Sequence, residues 1–364
     1  MPNGKTHDGA AVGPVGSTEP PAAGFKATMA KRHGQLFERI VSMDNLRLAY
    51  HKARRGKSRM HNVRRFEQDV EGNLQRIRQA LVEGSFTTSE YQVKPIFVPK
   101  PRQIFVLPFA PDRIVQHALM NVLEPIWNAL FIHDSYACRK GYGPHAGSRR
   151  AMEWVRRYRY CLKADVRKFY PSIDHDILMA IVRSKIKCPD TLELLRDIIY
   201  SYPGGKNVPI GNYTSQWLGN LYLNELDQWL THTHRVKAYL RYCDDFCLFA
   251  DNKTYLQTMK QQIGEFLSQR LRLSYSAAEV FPVNQGVDFL GYRHFPTHIL
   301  VRKSTARRMQ RRLKKLPASL AKGHITPAGF RGCVASAHGW LKHANTRNLA
   351  VALQLEQLME ISRA

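Results

Sequence analysis

"LRYCDDFCLFA", Leu240–Ala250, sets two aspartates side by side between two apolar and aromatic runs. The runs have the make-up of paired strands, which puts Asp244 and Asp245 at the turn of a hairpin. Adjacent carboxylates repel, and burying either one without compensation is costly. A divalent cation removes both objections. A paired Asp in a turn is ordinarily just solvated turn chemistry, so the reading depends on what the rest of the chain supplies.

A third carboxylate, Asp165, ends the strand in "YCLKADVRKFYPSI" (160–173). Two magnesium ions held about 4 Å apart can align an attacking oxygen, a phosphorus and a leaving oxygen. Magnesium takes oxygen ligands, so carboxylates are its natural anchors. Asp165, Asp244 and Asp245 are therefore the candidate catalytic residues. Together with Val166 they form the candidate site for two magnesium ions, with manganese able to substitute. The amides of Val166, Arg167 and Lys168 can donate to phosphate oxygens. Phe169 and Tyr170 follow at once, and an aromatic there can close over a nucleotide sugar and reject a 2′-hydroxyl; Phe169 reads equally well as core. In "YQVKPIFVPKPRQIFVLPF" (91–109), read as a strand pair, Lys100 and Arg102 flank Pro101 at the turn. They can clamp a triphosphate, although a generic basic turn explains them as well. Asp112 and Asp174 read as helix N-caps.

The 55 Lys and Arg outweigh 29 Asp and Glu, a net charge of +26 that points to a polyanionic partner. Charge names that ligand class, not an activity. A chain of 364 residues with 44% hydrophobic content can bury a core spread over two or three lobes. Six cysteines show no C-x-x-C pair and read as reduced thiols of a cytoplasmic protein; Cys243 and Cys247 read as small side chains inside strands. No apolar run approaches the ~20 residues of a membrane span. Residues 1–28, rich in Gly, Pro and Ala, read as a flexible extension. Beyond it strands alternate with helices, ending in a strand pair that closes on "VDFLGYRHF" (287–295) and a basic helical tail. In that tail "RKSTARRMQRRLKKL" (302–316) leaves Met309, Leu313 and Leu316 for packing. A run of this kind is usually a solvated face; here Arg307, Arg311 and Lys315 are candidates for phosphate contacts along a duplex.

Taken in order, these segments resemble a reverse transcriptase. "RYCDDF" matches the Y-x-D-D box, "LKADVRKFYPSID" the strand of the first catalytic aspartate, and "FLGY" (289–292) the primer-grip turn. "PKPRQIFVLPFAPDRIVQHAL" resembles the fingers segment and "YACRKGYGPHAG" the one after it, so the likeness spans roughly residues 30–345. It implies an α+β right-hand polymerase: N-terminal helices and fingers over 29–158, a palm on an antiparallel sheet over 159–296 with part of the fingers at 175–205, and a basic helical thumb over 297–364. It also implies that Tyr242, Cys243, Leu290 and Gly291 touch primer and template, and that the substrates are dNTPs on a template RNA–cDNA duplex.

The loop "IGNYTSQ" (210–216) narrows the resemblance. Most bacterial relatives carry Q-G-x-x-x-S-P there, whereas Ile210, Gly211, Ser215 and Gln216 match diversity-generating retroelement reverse transcriptases. Those enzymes misincorporate opposite template adenines, and a pentameric accessory variability protein binds them. Ile210, Gly211 and Gln216 then join the dNTP-binding set. The apolar Ile210 cannot offer the hydrogen bonds of a glutamine, so nucleotide selection leans on shape. The segment "LRLSYSAAEVFPV" (271–283) lacks the Lys that many relatives carry before the primer-grip turn, and no general acid is assigned. Target cutting and template removal are expected to fall to other proteins, in a bacterial or phage-infected cell. A retron, abortive-infection or group II intron-like reverse transcriptase without a mutagenic role is the alternative.

Overall fold

A computed structural model describes residues 32–97 and 101–363; the extension expected over 1–28 and the turn residue Lys100 lie outside the described residues. The chain opens with helices α1 (Phe37–Val41), α2 (Met43–Arg54), α3 (His61–Phe66) and α4 (Val70–Val82). Ser42 divides the first apolar stripe. Its backbone is extended and its hydroxyl accepts from the Asn45 amide as the N-cap of α2, while Leu36, Ile40, Leu46 and Ala49 all stay buried.

Strands β1 (Gln92–Ile96) and β2 (Arg102–Val106) form an antiparallel pair, and α5 (Ile114–Leu130) follows. Asp112 is not the N-cap of α5. It is buried in the turn before the helix, where its carboxylate accepts from the Ser89 amide (2.8 Å) and hydroxyl (2.7 Å). A long-range partner outcompeted the local one. Asp174, by contrast, caps its helix, accepting from the amides of Asp176 and Ile177.

Next come α6 (Pro144–Arg157), β3 (Tyr160–Val166), α7 (Phe169–Ser172), α8 (His175–Lys185), α9 (Pro189–Tyr200) and α10 (Tyr213–Gln228). The hairpin β4 (Tyr239–Tyr242) and β5 (Asp245–Ala250) leads into α11 (Lys253–Leu271) and β6 (Tyr275–Pro282). These strands form one antiparallel sheet in the order β4-β5-β3-β6. Strand alternation sorts its two faces. Leu162, Ala164, Val166, Phe246 and Leu248 face the main core, which holds Tyr222 and Leu226 of α10 and Leu256 and Ile263 of α11. Cys161, Cys247 and Phe249 face a second cluster with Trp154 and Val155 of α6. Helix α10 is buried nearly all round, yet carries a stripe of buried polar residues, Asn220, Asn224 and Asp227.

The strand pair expected to close on "VDFLGYRHF" is divided between two sheets. Strand β6 joins β3, whereas β7 (Val287–Phe289), β8 (Tyr292–His294) and β9 (Ile299–Val301) make a separate three-stranded sheet. Because β8 pairs with β9, a domain boundary at 296/297 would cut this sheet. Helices α12 (Lys303–Ala321), α13 (Pro327–Lys342), α14 (Arg347–Ala352) and α15 (Leu355–Arg363) pack around Leu313, Leu316, Phe330, Val334 and Leu341, with Met309 half-buried beside them. Among the described residues no helix is long and apolar enough to cross a membrane.

A histidine joint ties this C-terminal unit to α6. The His294 Nδ1–H faces the Val287 carbonyl at 3.1 Å, which leaves Nε2 to accept from the Ser148 hydroxyl at 2.7 Å. The Ser148 oxygen then accepts from His343 Nε2–H at 2.8 Å. Tyr292 donates to the Trp340 carbonyl and so accepts from His145, whose ring stacks on His343 at 4.5 Å. Every imidazole in this scheme is neutral. Burial pushes all three below the usual 6.5, His343 to about 4, with Arg149 opposing charge on His145 and His343. The unfolded chain therefore takes protons first as pH falls, so the joint contributes fully above pH 6.5 and loses its contribution towards pH 4. Thermal melts should show a fall in Tm across that window that is smaller in His343→Gln; equal falls in both proteins would rule the joint out as the cause.

Candidate active site

Hydrogen-bond register brings the distant carboxylates together. Strands β3 and β5 pair with Asp165 directly opposite Asp245, so both side chains leave the same face of the sheet. Tyr242 pairs with Asp245 across the hairpin, which leaves Cys243 and Asp244 as a two-residue turn. Cys243 therefore lies in the turn and not inside a strand. Its φ of 54° is unusual for a residue with a side chain and carries a cost.

Several contacts hold that turn. The Asp244 carbonyl accepts from the Val166 amide at 3.2 Å, joining the turn to the end of β3. Arg241 Nη1 donates to the Cys243 carbonyl at 2.9 Å. Arg241 is fully buried and pairs with the equally buried Asp227 at 2.6 Å, which also accepts from the Tyr239 hydroxyl at 2.6 Å. Asn220 accepts from Arg241 and donates to the Ala137 carbonyl. The neighbouring Cys138 thiol and then burial hold the Cys243 thiol well above the ordinary range.

The site disfavours the charge of Asp244 and Asp245. Burial, then Asp165, pushes Asp244 above the ordinary carboxylate range, with Arg102 and Arg241 pulling the other way. Burial outweighs its ion pair with Lys163 and lifts Asp245 to about 6, and Asp165 and Asp244 add to the rise. Lys163 Nζ lies 3.2 Å from Asp245 Oδ1 but donates to Oδ2 at 3.3 Å, so Oδ1 is buried without a hydrogen bond. Asp165 accepts from the Ser276 hydroxyl of β6. With Asp245 turned to Lys163 and Asp165 to Ser276, no three His, Cys, Asp or Glu side chains among the described residues gather closely enough to hold an ion. The donor set is nonetheless all oxygen, Lys163 is the only cation paired to it among the described residues, and one oxygen has no hydrogen bond. An all-oxygen set of this kind suits hard cations.

The other candidates sort into near and far. Arg102, exposed at the start of β2, is near enough for its charge to act on Asp244. The Ile210 carbonyl accepts from the Phe105 amide at 2.7 Å, so its loop lies along β2. Gly211 has φ 125°, and a Cβ there would meet the Phe105 carbonyl oxygen at 2.6 Å, so only glycine fits. Gln216 is exposed on the first turn of α10. Phe169 is buried, and Tyr170 packs beside it over Gly219, where a Cβ would come within 3.0 Å of the Tyr170 ring. Two of the amides expected to face phosphate do not. Val166 donates to Asp244, and Arg167 to the Ser274 carbonyl at 2.8 Å, because β3 is still paired there. The Lys168 amide is left, on a residue with φ 43°.

Leu290 and Gly291 make a two-residue turn between β7 and β8, and Leu290 shares an apolar cluster with Tyr242. Arg307, Arg311 and Lys315 are exposed at four-residue spacing on one face of α12. Sequence reading missed Lys163, Ser276, Asn220, Asp227 and the positioning role of Arg241. Lys163 was within reach, since it stands two residues before Asp165 and so on the same strand face.

The family described as reverse transcriptase (RNA-dependent DNA polymerase) matches residues 94–294. Protein YkfC of Escherichia coli K12 is 25% identical over 303 residues, covering 68% of this chain and 76% of that one. Group II intron-encoded protein LtrA of Lactococcus lactis subsp. cremoris is 20% identical over 325 residues, covering 67% of this chain and 52% of its own length. The chain thus spans about half of LtrA. Apo telomerase from Candida tropicalis aligns over 61% of the chain at 12% identity, with a TM-score of 0.47.

Proposed function

This chain belongs to the reverse transcriptase family and is an RNA-directed DNA polymerase; from that premise we propose that Asp165, Asp244 and Asp245 form its catalytic centre. The primer 3′-oxygen attacks the α-phosphorus of a dNTP paired to template RNA, and pyrophosphate leaves. The observation that carries this reading is the register that sets Asp165 against Asp245, with Asp244 in the adjoining turn. Asp165 and Asp244 would hold two magnesium ions, with Asp245 supporting them and Val166 at the edge of the set. Bound there, the ions would supply charge stabilisation to the triphosphate and the entering oxygen. Arg102, Lys100 and the Lys168 amide orient the triphosphate, and Tyr170 screens the sugar. Tyr242, Cys243 and the Leu290–Gly291 turn receive the primer end, while Arg307, Arg311 and Lys315 follow the duplex backbone. The architecture this implies is a right hand, with fingers before residue 159, a palm on the four-stranded sheet and a thumb from α12 onward.

The finer reading is that of a diversity-generating reverse transcriptase of the bacterial or phage-infected cytoplasm, working with a pentameric accessory protein. It is supported by Ile210, Gly211, Ser215 and Gln216 in a loop that lies along β2. An apolar Ile210 leaves the nucleotide pocket short of one hydrogen-bonding partner, so mismatches of acceptable shape are penalised less. Sequencing cDNA copied from a defined template should find errors concentrated at adenines, and Ile210→Gln should change that spectrum. Faithful copies from the wild type, or an unchanged spectrum in the variant, would leave the chain an ordinary reverse transcriptase.

A further inference from the structure

Helix α10 is buried nearly all round, and glycine is unfavourable inside a helix. Gly219 nevertheless stands in its middle, where two aromatic rings approach the backbone. A Cβ there would lie 3.0 Å from Tyr170 Cε1, 3.4 Å from Tyr170 Cζ and 3.2 Å from Phe169 Cε1. Carbon atoms pack best at ~3.5–4.0 Å. A methyl group at 219 would therefore oblige a neighbour to give by a few tenths of an ångström.

Which neighbour gives is decided by what holds each one. The helix cannot back away. Asn220, the next residue, donates to the Ala137 carbonyl at 2.9 Å and accepts from Arg241 at 3.1 Å, while Leu218 and Leu221 are fixed in the main core. Phe169 is buried in the same core. Tyr170 is held differently. Its backbone is anchored, since its carbonyl accepts from the Val208 amide at 3.0 Å. Its ring is only half-buried and its hydroxyl makes no hydrogen bond among the described residues, so packing alone places it. Burial, then the Cys243 and Cys138 thiols and the Asp244 carboxylate, hold that hydroxyl above the ordinary range, which sets it toward the acidic turn. Pressed from α10, the ring can only advance away from the helix. We infer that Gly219 sets how far the Tyr170 ring recedes, and so fixes the clearance at the 2′ position of the incoming nucleotide. It is a positioning residue for sugar selection, acting through the ring and not on the substrate. The inference rests on the polymerase reading in which Tyr170 screens the sugar.

The test is single-nucleotide extension by the full chain on an RNA template, comparing dGTP with GTP opposite cytosine. In Gly219→Ala the ratio of the two kcat/KM values should rise about tenfold in favour of dGTP, the low end of what one methylene changes in a pocket. Any unfolded fraction lowers both values alike and cancels from the ratio. In Tyr170→Ala the ratio should collapse. Adding Gly219→Ala to that variant should leave the ratio where it is, since the new methyl then has no screening ring to press. A ratio in Gly219→Ala at or below the wild-type value, or one that rises equally with and without Tyr170, overturns the inference. So does a Gly219→Ala chain inactive on both substrates whose activity Tyr170→Ala does not restore. A collapse in Tyr170→Ala beside an unchanged ratio in Gly219→Ala removes this inference alone. No change in Tyr170→Ala removes the screening role itself, and the inference with it.

Discussion

Asp244→Asn should slow primer extension by on the order of 10³-fold while leaving the affinity for primer–template unchanged. Asparagine keeps the shape of the side chain, and the substitution spares the Asp244 carbonyl that ties the turn to Val166. What it removes is the negative charge of a carboxylate that burial and Asp165 already raise, and that itself raises Asp245. On the proposed two-cation chemistry the reaction step loses an anchor, whereas contacts to nucleic acid elsewhere are kept. Single-turnover extension with dNTPs, alongside binding of the same duplex, measures both quantities. Extension within tenfold of wild type would sink the assignment of Asp244.

Asp227→Ala should cost about 3–5 kcal/mol of stability, because it strands a fully buried guanidinium. Arg241 would keep Asn220 and the Cys243 carbonyl as partners, but neither carries the charge it needs. Adding Arg241→Met to Asp227→Ala should recover much of that loss, since neither charge then remains to be buried. Activity should not return with it. The Cys243 carbonyl loses its donor, and a turn with a left-handed cysteine is left to find its own conformation. Urea denaturation of the two variants and the wild type gives the stability terms, and extension assays on the same samples give the activity. If the double variant regained both, Arg241 would be serving the core alone.

The acidic hairpin and its partner strand were legible in the sequence because both depend on short-range patterns. A two-residue turn between apolar runs fixes β4 and β5, and strand alternation fixes which face Asp165 takes. The support beneath them was not. Asn220 and Asp227 sit on a helix that is apolar around most of its surface, and nothing local says that Arg241 will meet them. The Val166 and Arg167 amides look free in a strand–turn–helix segment. They are bonded only because the turn at 243–244 and the start of β6 arrive from elsewhere in the chain. Asp112 shows the same limit, a cap by position that long-range contact with Ser89 redirects. Local pattern placed the reactive groups; tertiary contact decided how they are held.

The turn at Leu290–Gly291 is wedged. A Cβ at Gly147 would come within 2.7 Å of Leu290 Cδ1, and one at Gly291 within 2.8 Å of the Trp340 ring, so the turn has no slack against α6 or α13. It works as a rivet between them. Trp340 of α13 thus bears on this turn, and the cluster that Leu290 shares with Tyr242 joins the turn to the acidic hairpin. On the proposed roles of these residues, holding the finished product and seating the next letter would be geared together: the hand could not loosen its grip without also moving the point of its pen.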